Sequence, residues 1–161
     1  MSQDRPTFKK ISAKGFNFGI VEARYNSDVT DLLLQGALGI LSKRGAAGGN
    51  MDIFWVPGAF EIPLLLKKMA RTGKYHALLA LGAVVRGDTP HFEYVCQGVT
   101  QGVTQVSLQE EIPIAFGVLT VNNKKEALDR VGGKEGHKGE EAARVAIEMA
   151  HLVKHFGSSH E

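Results

Sequence analysis

The chain has very little cysteine: Cys96 is the only one among 161 residues. One cysteine cannot form an internal disulfide or, by itself, a cysteine-based metal site, which fits a reducing compartment. Long apolar runs are missing as well, since no segment approaches the roughly 20 apolar residues of a membrane-spanning helix. The polar residues 1–14 lack the apolar stretch of a secretory signal. We therefore expect a cytoplasmic protein without a membrane anchor.

The chain also has little net charge. The chain carries 19 Lys and Arg against 17 Asp and Glu, a formal charge of +2 that indicates neither a nucleic-acid nor a membrane partner. With 43% hydrophobic and 22% charged residues, its composition is that of an ordinary globular protein. The length predicts a single domain, residues 1–161, whose core needs no disulfide or metal. We expect residues 1–15 and 157–161 to be mobile ends.

Short apolar runs of strand length alternate with longer helical patterns. The predicted strands are 17–22, 52–56, 77–85 and 114–121. The predicted helices are 27–44, 63–72, 92–109, 124–130 and 139–155. Residues 77–85 are apolar at every position, which is typical of a parallel strand covered on both faces and places this strand at the sheet centre.

Some details of the helices also follow from the pattern. Ser27 is the expected N-cap of the first helix, Gly45 the residue that ends it, and Pro63 suits the first turn of the second. Met149 and Val153 are expected to face the core from the last helix, together with Ala142, Val145 and Ala146. The glycine-rich segment 132–139 is expected to be a hinge between the last two helices.

This order of elements predicts an α/β fold, a flavodoxin-like three-layer sandwich. Its central four-stranded, mainly parallel sheet has the strand order 2-1-3-4, with helices on both faces. In such folds ligands bind outside the carboxyl ends of the strands. Segments 23–26, 57–61 and 86–91 are therefore the places to look for a site.

Three ligand-binding devices found in this architecture are missing. Segment 23–26 lacks the hydroxyl- and glycine-rich phosphate loop of a flavodoxin, which argues against FMN binding in that style. The third strand ends in Val84, Val85 and Arg86, without the phosphoacceptor aspartate of a response-regulator receiver. No Gly-x-Gly-x-x-Gly or Walker pattern occurs, so those modes of nucleotide binding have no support.

Segment 86–91 combines several chemically useful residues. Gly87 permits unusual dihedral angles, Pro90 stiffens the chain, and the Thr89 hydroxyl can donate to a phosphate oxygen. His91 stands where the next helix begins, and a helix N-terminus favours the neutral imidazole that moves protons near neutral pH. Position alone fits a packing histidine equally well.

The remaining candidates each have a structural alternative. Tyr25 could stack on a flat heterocycle or simply pack. Segment 57–61 leads into a helix and offers free N–H groups for a carbonyl or an anion, whereas Glu61 also suits a helix start electrostatically. Taken singly, Phe116, Arg130 and Lys138 fit structural or solvated roles.

Taken together, these segments resemble the lumazine synthase family. The resemblance runs from about residue 16 to residue 153. It rests on four segments in the same order, 23–26, 55–63, 81–95 and 113–120. The departures are Tyr25 where phenylalanine is common, Pro90 where threonine or alanine is frequent, and 121–123 where Thr-Glu or Thr-Asp is frequent. None removes a catalytic group.

The resemblance implies an enzyme, a transferase of riboflavin biosynthesis. Such enzymes condense 5-amino-6-(D-ribitylamino)uracil with 3,4-dihydroxy-2-butanone 4-phosphate, releasing phosphate and water, with no metal or organic cofactor. By resemblance His91 is the proton donor, and Asp88, Thr89 and Arg130 bind the phosphate. The pyrimidine and ribityl contacts implied are Tyr25, Ala59, Phe60, Glu61, Ala83, Val84, Val85, Phe116 and Lys138.

The resemblance also implies a homopentamer whose active sites lie between adjacent subunits. Phe116 and Arg130 would then come from the second subunit. The short segment 132–139 resembles members that form an icosahedral shell of twelve pentamers, while Pro6 could weaken a strand added to a neighbour. We expect the shell, with riboflavin synthase as a further partner. A non-catalytic cage-forming homologue and a flavin or lumazine carrier are the alternatives.

Overall fold

A computed structural model of the protein describes residues 6–157. The main sheet contains β1 (Phe18–Ala23), β2 (Met51–Val56), β3 (Ala77–Val85) and β4 (Ile114–Val121). The α-helices in this range are α1 (Ser27–Lys43), α2 (Ile62–Ala70), α3 (His91–Glu110), α4 (Lys124–Leu128) and α5 (Lys138–Gly157). A small hairpin pairs β5 (Val131–Gly133) with β6 (Gly136–His137). Short 3₁₀ turns occupy Gly48–Asn50 and Ala59–Glu61.

The sheet has the order β2-β1-β3-β4, and every neighbouring pair is parallel. The predicted flavodoxin-like α/β sandwich and its strand order are confirmed. The first seven residues of β3 are buried, as expected for a strand between two neighbours with helices on both faces. None of the helices within residues 6–157 combines the length and apolar character that crossing a bilayer requires.

Each face of the sheet has its own apolar core. Phe18 and Ile20 of β1 point to the α1 and α5 side, whereas Val21 and Ala23 point to the α2 and α3 side. This alternation follows from the two-residue period of a strand. Full burial of one such large side chain contributes about 1.5–3 kcal/mol. The paired cores hold the carboxyl ends of the strands in a fixed arrangement.

The end of α1 follows its sequence signal. Gly45 has a φ of 103°, and the N–H of Ala46 donates to the Leu41 carbonyl at 3.0 Å. This is the Schellman ending that glycine allows, so the prediction for Gly45 is confirmed. The prediction of Ser27 as the N-cap is wrong. Asn26 holds that position, because its own left-handed conformation turns the chain into the helix.

The C-terminal part differs from its prediction in two ways. Segment 132–139 is not an open hinge, because the β5–β6 hairpin and the first turn of α5 occupy it. Met149 and Val153 are 39% and 40% exposed, so their inward assignment is wrong. Mostly small residues form the contact between α5 and the rest of the domain instead. The buried positions of α5 are Gly139, Ala142, Ala143, Ala146, Ile147 and Ala150. Five of these six residues are glycine or alanine, which lets α5 approach α1 closely, and Met149 and Val153 lie outside this stripe.

The expectation of mobile ends falls partly on residues 1–5 and 158–161, which lie outside the described residues. Closer to the domain, Ala13 is fully buried and its N–H donates to the Arg44 carbonyl at 2.8 Å. His151 Nε2 lies 2.7 Å from the Ser12 carbonyl oxygen. These contacts anchor the chain around Ala13 to α5 and to the end of α1.

Candidate active site

A cavity of about 570 Å³ opens at the carboxyl ends of the strands. Its size is that of a small-molecule pocket. The lining residues are Tyr25, Asn26, Gly58, Ala59, Phe60, Glu61, Ala83, Val84, Val85, His91, Tyr94 and Val95. The structure therefore brings together eight of the predicted site residues, which come from three separate segments. They are Tyr25, Ala59, Phe60, Glu61, Ala83, Val84, Val85 and His91.

One wall of the cavity is made where the chain leaves β1. The N–H of Arg24 donates to the Val56 carbonyl at 2.9 Å, and that of Tyr25 to the Pro57 carbonyl at 3.0 Å. These bonds extend the β1–β2 pairing beyond both strands. A Cβ at Gly58 would lie 3.2 Å from the Tyr25 ring, so glycine lets the turn approach it closely. The Tyr25 side chain is 72% exposed and free to meet a ligand.

Asn26 is a cavity residue that the sequence analysis missed. Its φ of 61° and ψ of 47° are left-handed, a conformation that asparagine tolerates better than most residues. Its side-chain amide donates to the Ala83 carbonyl at 2.8 Å. This bond ties the end of β1 to β3. The Asn that follows Tyr25 was a usable signal, because asparagine is enriched at such positions.

The turn before α2 is closed by Glu61. Its Oε2 accepts the Gly58 N–H at 2.9 Å, and its own N–H donates to the Gly58 carbonyl at 3.2 Å. Pro63 is in the first turn of α2, as predicted. Glu61 thus has the structural role considered for it and lines the cavity as well.

His91 begins α3 and is exposed at the cavity. Its N–H donates to the Thr89 hydroxyl at 3.4 Å. Tyr94 and Val95 follow at the i+3 and i+4 positions, which share a helix face with His91, and this spacing was the signal that could have identified them. Asp88 and Thr89 are exposed in the preceding loop and are not among the lining residues.

Three predicted residues lie away from this cavity on the same chain. Phe116 is 45% exposed on the edge strand β4. Arg130 Nη1 donates to the Glu126 carbonyl at 2.8 Å, just after α4. Lys138 Nζ lies 2.8 Å from a Glu141 carboxylate oxygen at the start of α5. None of Phe116, Arg130 and Lys138 is a lining residue, so one chain does not assemble the whole predicted set.

Two carboxyl groups near the site have pKa values that differ from the ordinary value for glutamate. Burial, reinforced by a hydrogen bond to Asp31, raises the pKa of Glu22 to about 7. The hydrogen bond from Arg86 lowers the pKa of Glu93. Sequence analysis missed Glu22, although a carboxylate inside an apolar strand is itself a signal. In the described part of the chain, no cluster of three or more His, Cys, Asp or Glu side chains could hold a metal ion.

Comparison with known proteins agrees with this geometry. A family model described as 6,7-dimethyl-8-ribityllumazine synthase matches residues 15–154. Proteins with that name from two strains of Clostridium kluyveri are each 52% identical over 145 residues, covering 90% of this chain and 94% of the relative. The match includes every segment that lines the cavity. The chain therefore belongs to the 6,7-dimethyl-8-ribityllumazine synthase family of transferases.

Proposed function

We propose that the protein makes 6,7-dimethyl-8-ribityllumazine from 5-amino-6-(D-ribitylamino)uracil and 3,4-dihydroxy-2-butanone 4-phosphate. Phosphate and water are released. One observation carries the proposal: a single cavity places an exposed aromatic ring, a carboxylate and an imidazole around one space, in a chain of this family. These groups are Tyr25, Glu61 and His91.

The pyrimidine ring binds against Tyr25. An exposed phenol ring offers a flat apolar face for stacking and a polar rim. Ala83, Val84 and Val85 line the same cavity at the end of β3, beyond the point where the pairing with β1 stops at Leu81. Backbone polar groups on that side of β3 suit the polar edge of the ring. The hydrogen bond from Asn26 to the Ala83 carbonyl holds this end of β3 in place.

The ribityl chain binds along the turn that precedes α2. Ala59 and Phe60 line the cavity in a short 3₁₀ turn, whose early N–H groups are available to hydroxyl oxygens. Glu61 accepts hydrogen bonds and cannot donate them when ionised, so it suits a chain of hydroxyl donors. The turn therefore selects a polyol over an apolar substituent.

His91 moves protons during the reaction. The 5-amine of the pyrimidine attacks the butanone carbonyl with loss of water to form an imine, and phosphate then leaves to give an enol that becomes a new carbonyl. The ribitylamino nitrogen adds to this carbonyl with loss of a second water, which closes the ring. Each step transfers protons without oxidation or reduction, which an imidazole does well near neutral pH. Such catalysis contributes about 10²- to 10⁴-fold, and holding two substrates together supplies much of the rest.

The phosphate binds beside the loop before α3. Thr89 offers a hydroxyl donor, whereas the Asp88 carboxylate repels an anion, so the contribution of Asp88 comes from its backbone N–H. Arg130 offers a planar cation suited to phosphate. Because Arg130, Phe116 and Lys138 of one chain do not line its own cavity, a neighbouring subunit supplies them. Such sites require an oligomer, and the family resemblance favours a homopentamer with sites between subunits.

The proposal extends to the larger assembly and its compartment. Twelve pentamers form an icosahedral shell in the cytoplasm, with riboflavin synthase as a further partner. Sedimentation velocity and negative-stain microscopy will distinguish the shell from a free pentamer. A stable monomer would contradict the shared site.

The decisive experiment gives purified protein both substrates. We expect the lumazine chromophore to appear together with an equal amount of phosphate. Absence of product at high enzyme concentration would overturn the proposal. An intact assembly without turnover would then identify a cage protein, and tight lumazine or flavin binding without turnover would identify a carrier.

A further inference from the structure

Arg86, the first residue after β3, contacts two separate segments of the chain. Its Nη1 forms an ion pair with the Glu93 carboxylate, and its guanidinium carbon lies 4.4 Å from the centre of the Phe92 ring. Its Nε donates to Asn122 Oδ1 at 3.1 Å. One side chain therefore joins the first turn of α3 to the loop that follows β4.

The ion pair with Glu93 closes the loop that precedes α3. Arg86 and Glu93 are seven residues apart and lie on either side of Thr89 and His91. The Glu93 N–H also donates to the Pro90 carbonyl at 3.0 Å, which fixes the end of the loop to the helix. Both ends of the loop are thus held, and its residues have a restricted set of positions.

The contact with Asn122 reaches toward Arg130. The Asn122 N–H donates to Glu126 Oε2 at 2.8 Å, and Arg130 Nη1 donates to the carbonyl of the same Glu126 at 2.8 Å. Arg86, Asn122, Glu126 and Arg130 therefore form one connected set of hydrogen bonds. The set connects the loop before His91 with the segment after α4 that holds Arg130, which in the proposed assembly serves the cavity of a neighbouring subunit.

Stability alone does not account for this arrangement. The Arg86 and Glu93 side chains are about 44% and 45% exposed, and exposed ion pairs add little to folding free energy. A planar guanidinium, however, can bind a carboxylate, an amide oxygen and a ring at fixed angles, which a lysine cannot do. The geometry is therefore suited to holding the loop in one conformation.

We propose that Arg86 is a positioning residue for phosphate recognition, which holds the 87–90 loop through Glu93 and ties it to the segment after β4 through Asn122. This inference rests on the proposed function. It assigns Arg86 no contact with substrate. Its effect reaches the phosphate-bearing substrate through Thr89 and leaves the pyrimidine side, held by Asn26, unchanged.

The first test compares Arg86→Met and Glu93→Gln with the unmodified protein. We expect the KM for the butanone phosphate to rise about tenfold in each, because small displacements of binding groups are costly. The KM for the pyrimidine should stay within about twofold. The double variant should be no worse than Arg86→Met, because both single changes already break the same ion pair between Arg86 and Glu93. Arg86→Lys should recover only part of the loss.

A matched control uses another arginine–glutamate pair, between the residue that follows α2 and the last residue of α3. Arg71 Nε lies 3.1 Å from Glu110 Oε1 at the far end of this helix. Arg71→Met removes a comparable ion pair without touching the loop, and we expect both KM values to be unchanged. Equal rises for both substrates in Arg86→Met, or an unchanged KM for the butanone phosphate, would overturn the inference.

Direct binding of inorganic phosphate separates this inference from the proposed function. Calorimetry should show about tenfold weaker phosphate binding in Arg86→Met and Glu93→Gln than in the unmodified protein or Arg71→Met. Failure of turnover in the unmodified protein would contradict the proposed function and leave this measurement intact. Identical phosphate affinity in all four proteins would refute the role of Arg86.

Discussion

The indole N–H of Trp55 donates a hydrogen bond of 3.0 Å to the carboxylate of Glu22. The two residues are register partners on β2 and β1, just below the turn that lines the cavity. Glu22 is 1% exposed, whereas Trp55 is half exposed at the sheet edge. A buried acid is thus linked to the only tryptophan of the chain, which provides an optical signal for its ionisation.

The ionisation of Glu22 should make stability depend on pH. Burial and Asp31 raise its pKa from 4.5 to about 7. The folded state therefore binds a proton more tightly than the unfolded state, and this stabilisation is fully present below pH 4.5 and lost as pH rises through 7. Glu22→Gln should remove roughly 2–3 kcal/mol of this pH dependence, measured by urea unfolding between pH 4.5 and 8.

Tryptophan fluorescence of the folded protein offers the matching measurement. We expect a titration with a midpoint near pH 7, absent in Glu22→Gln, which keeps the acceptor oxygen for Trp55. Glu111→Gln is the control. It replaces an exposed carboxyl group just after α3, and this variant should retain the transition. A midpoint near the ordinary glutamate value would show that Glu22 is not desolvated.

His91→Gln should reduce kcat by about 10²- to 10⁴-fold, because an amide cannot exchange protons as an imidazole does. The side chain is exposed at the start of α3, so the melting temperature and the assembly state should be preserved. Steady-state kinetics and sedimentation measure the two effects. An unchanged rate would remove His91 from the mechanism.

The proposed location of the active sites between subunits predicts complementation. His91→Ala and Arg130→Ala homo-oligomers should each be nearly inactive. When the two variants are co-expressed, about one site in four should combine an intact His91 from one chain with an intact Arg130 from its neighbour. Chromophore formation near a quarter of the normal level is expected. Recovery limited to the sum of the separate variants would place both residues in one chain's site.

The contact between α1 and α5 depends on Gly139. A Cβ there would lie 2.1 Å from the Leu33 carbonyl oxygen, and backbone cannot move aside easily. Gly139→Ala should lower stability by about 1–3 kcal/mol through overpacking. Gly39→Ala, on α1 with open space around it, should instead raise stability by about 0.5–1 kcal/mol. Urea unfolding of both variants gives the comparison, and equal effects would contradict the close contact.

Local patterns predicted the fold well because each was decided by neighbours in sequence. The apolar run of β3 and the glycine that ends α1 needed no tertiary information. Ser27 and Met149 were misassigned for the opposite reason. Asn26 bonds to a carbonyl 57 residues away, and the buried face of α5 consists of glycine, alanine and a single isoleucine, a face that does not include Met149.

The sequence by itself determined the order of elements, the parallel sheet and the three segments that carry chemistry, because hydrophobic periodicity and turn residues act locally. Only the tertiary structure decided that eight predicted residues share one cavity while Phe116, Arg130 and Lys138 of the same chain lie outside it. It also decided that Glu22 is buried against Trp55 and that Arg86 reaches Asn122. Such contacts depend on distances between segments far apart in sequence, which are set when helices pack on the two faces of the sheet.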